Sequence, residues 1–419
     1  MRKAISGTIA ARILTTVMGL LVSVVAGHRL GAEGLGTIGL VVLGITLVRL
    51  GMELVGGSAL VYLVPRVPLR RLLPPCYLWA LLAATIGFGA VKVFALVPQG
   101  YAAHVALLAL LQGMHAIHLS VLIGQQRIRA NNWITVVQAA VLVAAFAWLA
   151  RAPGADAFAF VEAAYASGAV ALAFSTWAIG RQVAVVQHEP VQVLRLLLRQ
   201  GTYVQLANGT QLLNYRLAYW LIEKFKGTAV LGVYTVANQL AEGSWLVPKS
   251  LSLVLYSKIS NLRHLEVQRQ LTLTFLKLSM ASAMAVVLVL LVLPPSLFQW
   301  IFGPDIKGIS PLILLLAPGI LGMAASQAYS HFFSGTARNI HNVVGSGLGL
   351  VATIVAGLWL IPEYGLPGAA ITATSAYALN ALYQTVAFMR ITGSRLRDLL
   401  PGSEDGRRLM ELLKPRGKG

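Results

Sequence analysis

The chain has 419 residues, of which 57% are hydrophobic and only 11% are charged, where an average soluble domain has about 25% charged residues. No soluble fold of this length buries so much apolar surface, but a bilayer accommodates it because each span needs about 20 mostly apolar residues. The net charge of +19 suggests nucleic acid in a soluble protein. We find no RNA- or DNA-binding motif here and expect no nucleic-acid partner.

Cys76 is the only cysteine, which excludes an intramolecular disulfide and a cysteine-based zinc site.

Twelve apolar segments follow one another along the chain, and most links between them are short and carry Gly, Pro or charge. The apolar run after Met1 is too long for a signal-peptide core, so we interpret it as the first span. Residues 191–198 are apolar on one side and predict a separate amphipathic helix on the cytoplasmic surface. The predicted spans are 8–29, 37–63, 72–96, 102–124, 132–150, 157–180, 201–223, 229–257, 271–296, 309–333, 341–361 and 366–390.

Basic residues concentrate in alternate loops, for example at Arg66, Arg70 and Arg71, and again at Arg127 and Arg129. Cytoplasmic loops of membrane proteins carry such an excess of Lys and Arg. The bias therefore places both chain ends in the cytoplasm, and it keeps the same sense along the chain. We therefore expect a multi-pass membrane protein.

A short repeat divides the sequence in two. Gly31 to Gly36 and Gly227 to Gly232 both read G-x-x-x-L-G, with an offset of 196 residues. Six spans per half give both halves the same orientation, which predicts two lobes related by a pseudo-two-fold axis along the membrane normal, with a central cavity. Two unrelated glycine-rich turns remain the alternative. The predicted fold class is thus an all-α polytopic membrane protein with six-helix lobes at 1–195 and 196–390 and a basic cytoplasmic tail at 391–419, which we expect to contact anionic lipid headgroups.

Ionisable residues inside the predicted spans are costly, at about 2.5–3.5 kcal/mol each on insertion scales, so they usually face a cavity or a partner. Arg49 and Glu53 are spaced i,i+4 and can pair on one helix face. Applying the repeat offset makes Glu53 equivalent to Lys249, and these opposite charges are a candidate gate. We assign substrate binding in a cationic cavity to Arg12, Arg49, Arg216 and Lys249, and the role of gate or charge partner to Glu53 and Glu242.

Three further features complete the set of candidates. Arg12 has snorkelling to the headgroups as its alternative. The seventh span carries a polar stripe that we assign to the cavity lining, with interhelical hydrogen bonding as the alternative; it comprises Gln205, Asn208, Gln211, Asn214 and Tyr215. His115 and His118 are spaced i,i+3 without the further ligands that a metal needs, so we expect packing or cavity polarity there, and we expect the same of His331.

Signatures of chemistry are missing from the sequence. Nothing matches the P-loop pattern, and the acids in the external loops are single rather than clustered, unlike the acid/base pairs of enzymes. We therefore expect transport without catalysis, with no cofactor and no bound metal. Because cationic residues equal or outnumber acids inside the membrane, an anionic substrate is favoured over a cationic one.

Several segments, taken in order and spacing, resemble the bacterial polysaccharide and O-antigen flippases (Wzx-type) of the multidrug/oligosaccharidyl-lipid/polysaccharide (MOP) superfamily. They are Arg29–Gly36, Leu213–Leu217, Leu231–Ala237, Leu297–Gly303 and Tyr364–Ala370. The resemblance covers most of the chain, and it implies a location in the bacterial cytoplasmic membrane. It implies two six-helix lobes, a cationic cavity, and a substrate of undecaprenyl-diphosphate-linked oligosaccharide passed from the inner to the outer leaflet for polysaccharide biosynthesis, such as that of lipopolysaccharide.

The same resemblance implies that cavity arginines bind the diphosphate of the carrier lipid. It makes polysaccharide polymerase and chain-length proteins candidate partners, along with the membrane lipids, and we expect a monomer. Many relatives have Asp where this chain has Ala218, and loss of that counter-ion predicts an Arg216 that is freer to bind an anion.

Two other functions stay open from the sequence. The first is a multidrug or cation exporter of the same superfamily, for which Glu53 and Glu162 are the candidate coupling acids. The second is a membrane-embedded glycosyltransferase or polymerase, which the missing external acid/base loops disfavour.

Overall fold

A computed structural model describes residues 2–180, 190–259, 262 and 264–400, and no strand occurs among them. The helices are α1 Arg2–Gly56, α2 Ser58–Leu63, α3 Leu69–Val93, α4 Ala102–Gly124, α5 Ile128–Leu149, α6 Phe158–Gly180, α7 Pro190–Lys226, α8 Thr228–Ser244, α9 Leu246–Ile259, α10 Leu265–Val292, α11 Pro295–Phe302, α12 Ile309–Gly335, α13 Ile340–Tyr364, α14 Leu366–Thr392 and α15 Leu396–Leu399.

The predicted membrane fold class is confirmed. Within the described residues, eight helical stretches are long and apolar enough to cross a membrane. The first of these, Gly7–Leu63, holds two predicted spans. The seventh, eighth and twelfth predicted spans fall on α7, on α8 with α9, and on α14. Every one of the twelve predicted spans therefore overlaps a helix.

Glycine creates the breaks in the first helical stretch. Gly31 has φ 69° and ψ −168° inside α1, and this left-handed φ is one that L side chains rarely adopt. It separates the first two spans without a loop. Gly57 ends the second span early, and α2 continues after it as a separate short helix.

One sequence expectation about local structure was wrong. Residues 191–198 do not form a separate surface helix, because α7 runs without interruption from Pro190 to Lys226. The single Gly201 lies inside α7, and a helix tolerates such a glycine at a cost of about 1 kcal/mol. The short helix α11, eight residues long, follows the ninth span and was not predicted from the sequence.

The repeat that the sequence shows is present in the backbone. Gly31 and Gly227 both have positive φ, at 69° and 86°. A Cβ on Gly36 would lie 1.9 Å from the backbone oxygen of Thr228. A Cβ on Gly232 would likewise lie 1.9 Å from the backbone oxygen of Ala32.

These two close approaches are the same contact made twice. The offset of 196 converts Gly36 into Gly232 and Ala32 into Thr228, so each copy of the repeat presents its glycine to the start of the other helix. Such a reciprocal pattern defines a local two-fold relation between α1 and α8. It argues against the alternative of two unrelated turns.

The chain forms two compact units. The first comprises Met1–Leu212, Tyr219–Val236 and Pro295–Gly308, and the second comprises Leu213–Ala218, Ala237–Pro294 and Ile309–Gly419. This division by contacts does not fall at residue 195, because parts of the second half pack with the first unit. The lobes at 1–195 and 196–390 stay a prediction. Most of the expected tail, 401–419, lies outside the described residues.

Each unit has its own core. In the first, the segment Pro295–Gly308 docks on the end of the first span, where the His28 Nε2 lies 3.0 Å from the Trp300 carbonyl oxygen and 3.1 Å from that of Ile301. In the second, a buried aromatic cluster includes Tyr329, Phe332 and Phe388. The Phe332 and Phe388 rings meet edge to face with centroids 5.0 Å apart, a favoured aromatic geometry.

Candidate functional site

The first polar cluster lies on α1 in the first compact unit. Arg49 Nη2 donates to Glu53 Oε1 at 3.3 Å, which confirms the pair that the i,i+4 spacing predicts. Gln205 on α7 donates through Nε2 to the backbone oxygen of Glu53 at 3.1 Å, and its Nε2 lies 3.4 Å from Glu53 Oε2. The Arg49 and Glu53 side chains are 32% and 36% exposed, so both reach a surface outside the packed core.

The second cluster lies in the second compact unit. Arg216 Nη2 on α7 lies 3.2 Å from Glu242 Oε1 on α8, and the two side chains are 25% and 31% exposed. Asn238 donates to the same Oε1 at 2.8 Å. Glu242, which the sequence analysis assigns as a gate or charge partner, thus supplies a carboxylate to Arg216 from the neighbouring helix, although Ala218 stands where many relatives have Asp. Whether Arg216 is freer to bind an anion stays a prediction.

The polar stripe of the seventh span divides by environment. Gln205 is buried and bonds to α1, while the buried Asn214 accepts a hydrogen bond of 2.6 Å from Thr353 on α13. Gln211 is exposed. For Gln205 and Asn214 the structure gives the interhelical bonding that was the alternative to a cavity lining. The side chains of Asn208 and Tyr215 lie outside the described part of the chain, and the cavity role of the stripe stays a prediction.

The other candidate cations occupy different settings. Arg12 is exposed on α1. The Lys249 ammonium lies 5.7 Å from the centroid of the Trp245 ring on the preceding turn, within the range of a cation–π interaction. Substrate binding by either residue stays a prediction, as does the gate between Glu53 and Lys249.

His115 and His118 on α4 are core residues. His115 and His118 are 3% and 4% exposed, and both ring Nδ1 atoms lie close to the Ser175 hydroxyl of α6. No group of three or more His, Cys, Asp or Glu able to hold a metal occurs among the described residues.

One buried polar network was missed from the sequence. It links α12, α13 and α14, where Ser326 donates to Gln384 at 2.7 Å, Asn380 donates to Ser326 at 3.1 Å, and Gln384 donates to Asn342 at 3.2 Å. Asn380 and Gln384 share a helix face by their i,i+4 spacing, which is the signal that sequence reading overlooked. Interhelical bonds of this kind hold bundles together in membranes.

Comparison with known proteins shows which solved structures share the fold of this chain. No family model matches the sequence, and no curated protein matches it. Solved structures do match: a multidrug resistance MATE family transporter of the MOP superfamily, in an inward-facing conformation, has a TM-score of 0.72 at 16% identity, covering 90% of this chain and 95% of that one.

A second match is the lipid II flippase MurJ in an inward closed conformation, with a TM-score of 0.72 at 13% identity over 94% of this chain and 88% of that one. A third is a MOP superfamily transporter from Pyrococcus furiosus, described as having a binding pocket of reversed polarity, with a TM-score of 0.61 at 15% identity over 93% and 96% of the two chains. The chain thus has the fold of MOP superfamily transporters. Both multidrug transporters and a lipid flippase have this fold.

Proposed function

We propose that this protein is a flippase that moves an undecaprenyl-diphosphate-linked oligosaccharide from the inner to the outer leaflet of the bacterial cytoplasmic membrane by alternating access. The observation that carries the proposal is a pair of partly exposed arginines, Arg49 and Arg216, within membrane helices of a fold shared with a lipid II flippase. A guanidinium presents five N–H donors in a planar fork that suits a diphosphate.

The ion pairs with Glu53 and Glu242 do not prevent the two arginines from binding a diphosphate. The Arg49 pair with Glu53 uses Nη2 alone, so a diphosphate can engage the other donors or displace the carboxylate. Each glutamate holds its arginine extended between transport events and lowers the cost of keeping a cation in the membrane. The resemblance of the sequence to polysaccharide flippases supports the same substrate class.

A multidrug or cation exporter is the second candidate. Glu53 and Glu242 are partly exposed in the same clusters, and multidrug transporters share the fold. A carboxylate released from its arginine would attract a cation. A glycosyltransferase or polymerase has no corresponding observation in its favour.

A deletion strain separates the candidates. Loss of a flippase leaves lipid-linked repeat units on the inner leaflet and depletes surface glycan, which mass spectrometry of extracted lipids and glycan staining measure. Loss of an exporter raises drug sensitivity instead. Normal surface glycan in the deletion strain would contradict the flippase proposal.

A further inference from the structure

A hydrogen-bonded chain of side chains, three of them buried, links α3, α4 and α6 in the first compact unit. The Tyr77 hydroxyl on α3 lies 2.5 Å from His118 Nε2. His118 Nδ1 and His115 Nδ1, both on α4, lie 3.0 Å and 3.2 Å from the same Ser175 Oγ on α6. Two histidines thus share one hydroxyl inside the membrane, where polar groups are costly unless paired.

Hydrogen-bond accounting gives one arrangement of the protons that is consistent with these contacts. The Ser175 hydroxyl donates its single hydrogen to the Leu172 backbone oxygen at 3.0 Å. A hydroxyl has one hydrogen and two lone pairs, so Ser175 accepts from both rings and both Nδ1 atoms carry hydrogen. Each neutral ring then has its lone pair on Nε2. That of His118 faces the Tyr77 hydroxyl, which donates to it.

The Nε2 of His115 is the exception. It is buried and has no hydrogen-bond partner within bonding distance among the described residues. Gln138 of α5 and the backbone of Ala171 also face this ring. A buried imidazolium would present an unbonded N–H at this position, so the geometry corresponds to a neutral ring with an open lone pair.

Few charged or titratable groups face the His115 ring. Among the described residues, α1 presents the Arg49 charge, with Glu53 paired to it, α4 presents His118, and α3 presents Tyr77 through His118. The groups that face it from α5 and α6 are the uncharged Gln138, Ser175 and the Ala171 backbone. The Nε of Arg49 is itself buried without a hydrogen-bond partner among the described residues. Among the residues that the structure describes, Arg49 is the fixed positive charge that acts on the His115 ring, and it is also a residue that we propose to bind the substrate anion.

We propose that His115 takes up one proton when Arg49 binds the diphosphate of the transported lipid, so that the proton and the anion bind together. This inference rests on the proposed function. An N–H bond forms at His115 Nε2, and the proton comes from a hydronium ion of the aqueous phase, which is left as water. The bound anion offsets the repulsion between Arg49 and the imidazolium, and by linkage the proton strengthens the binding of the anion by the same factor.

The test measures proton uptake directly. Binding of undecaprenyl diphosphate to the purified full-length protein is followed by calorimetry in two buffers of different ionisation enthalpy at one pH. The number of protons taken up per ligand should be about one lower in His115→Asn than in the wild-type protein. The same variant should also lose the rise in affinity that the wild-type protein shows as the pH falls, beyond the part that comes from titration of the lipid.

His104→Asn is the matched control, because His104 lies on the same helix and its Nδ1 lies 3.1 Å from the Tyr165 hydroxyl. It should bind with wild-type proton uptake. Equal uptake in the wild-type protein and His115→Asn would overturn the inference.

A second measurement does not depend on the ligand. Nitrogen-15 NMR of labelled histidines in the ligand-free protein, with His115 assigned from its loss in the variant, should show an unprotonated Nε2 at neutral pH. A protonated Nε2 there would overturn the inference by itself. Failure of the probe to bind either protein would instead contradict the proposed function, and with it the coupling.

Discussion

Arg49 and Arg216 each have one carboxylate within 3.3 Å, but they acquire it differently. The Arg49 partner lies four residues along the same helix, and helical spacing alone predicts it. Glu242 reaches Arg216 from another helix, a tertiary contact that spacing within one helix does not reveal. The sequence therefore identifies both charges and predicts only the first pairing.

Replacing the two arginines tests whether their guanidinium groups bind the anion. Arg49→Ala or Arg216→Ala should lower flipping about tenfold or more, since a charged hydrogen bond contributes about 1.5–3 kcal/mol. The flipping rates of Arg49→Lys and Arg216→Lys should lie between those of the wild-type protein and the alanine variants, because lysine keeps the charge but lacks the planar guanidinium. Flipping is measured in proteoliposomes that contain equal amounts of monodisperse protein.

Arg66→Ala is the control, because Arg66 is exposed and stacks on Tyr62 with its guanidinium carbon 3.9 Å from the ring centroid. It should flip lipid at the wild-type rate. Lysine variants as active as the wild-type protein would show that charge alone suffices.

Replacing the carboxylates distinguishes the two transport candidates. In Glu53→Gln, Arg49 keeps its charge and loses its competing anion, so a flippase of an anionic lipid should retain or tighten ligand binding. Gln205 keeps its bond to the Glu53 backbone oxygen, which preserves the local fold. A cation exporter should lose drug resistance in the same variant. Binding of undecaprenyl diphosphate to the purified variant measures the first outcome, and drug-sensitivity assays of cells that carry the variant measure the second.

At the scale of elements, apolar length and loop charge predict where helices lie, whereas local packing decides how they are broken. The predicted span 37–63 contains the break at Gly57, which its apolar pattern does not reveal. The short α11 was missed because eight residues give too little periodicity to separate a helix from a loop. The G-x-x-x-L-G repeat, by contrast, was visible in the sequence, and its reciprocal packing explains the glycines.

The crossing of α1 and α8 should depend on Gly36. A Cβ there meets the Thr228 backbone oxygen at 1.9 Å, and backbone cannot move aside as a side chain can. Gly36→Ala should therefore destabilise the protein by about 1–3 kcal/mol, the usual cost of overpacking. Thermal unfolding in detergent, followed by tryptophan fluorescence, measures the change.

Gly19→Ala is the matched control on the same helix, because a Cβ at Gly19 meets nothing within 4 Å. It should leave the unfolding temperature unchanged or raise it through better helix propensity. Equal unfolding temperatures for the two variants would contradict the account of the crossing.

For the whole molecule, composition and charge already indicate a multi-pass membrane protein, since no other class combines 57% hydrophobic residues with a charge of +19 spread over short loops. The division of α7 between the two compact units did not follow from the sequence, because a repeat shows which positions are equivalent but not how individual helix segments pack. An inside-negative potential favours outward movement of an anion by about 2.3 kcal/mol per charge per 100 mV. The proposed transport of an anionic lipid from the inner to the outer leaflet is therefore in the direction that the membrane potential favours.

The most direct test of the central claim uses the purified protein in proteoliposomes loaded with a fluorescent undecaprenyl-diphosphate-linked oligosaccharide. Reagent added outside reports the lipid in the outer leaflet over time. We predict that the wild-type protein equilibrates the lipid across the bilayer, faster when the leaflet that it leaves faces a negative compartment, and that Arg49→Ala combined with Arg216→Ala abolishes this activity. Wild-type protein that moves the lipid no faster than protein-free vesicles, or a double variant as active as the wild-type protein, would contradict the account.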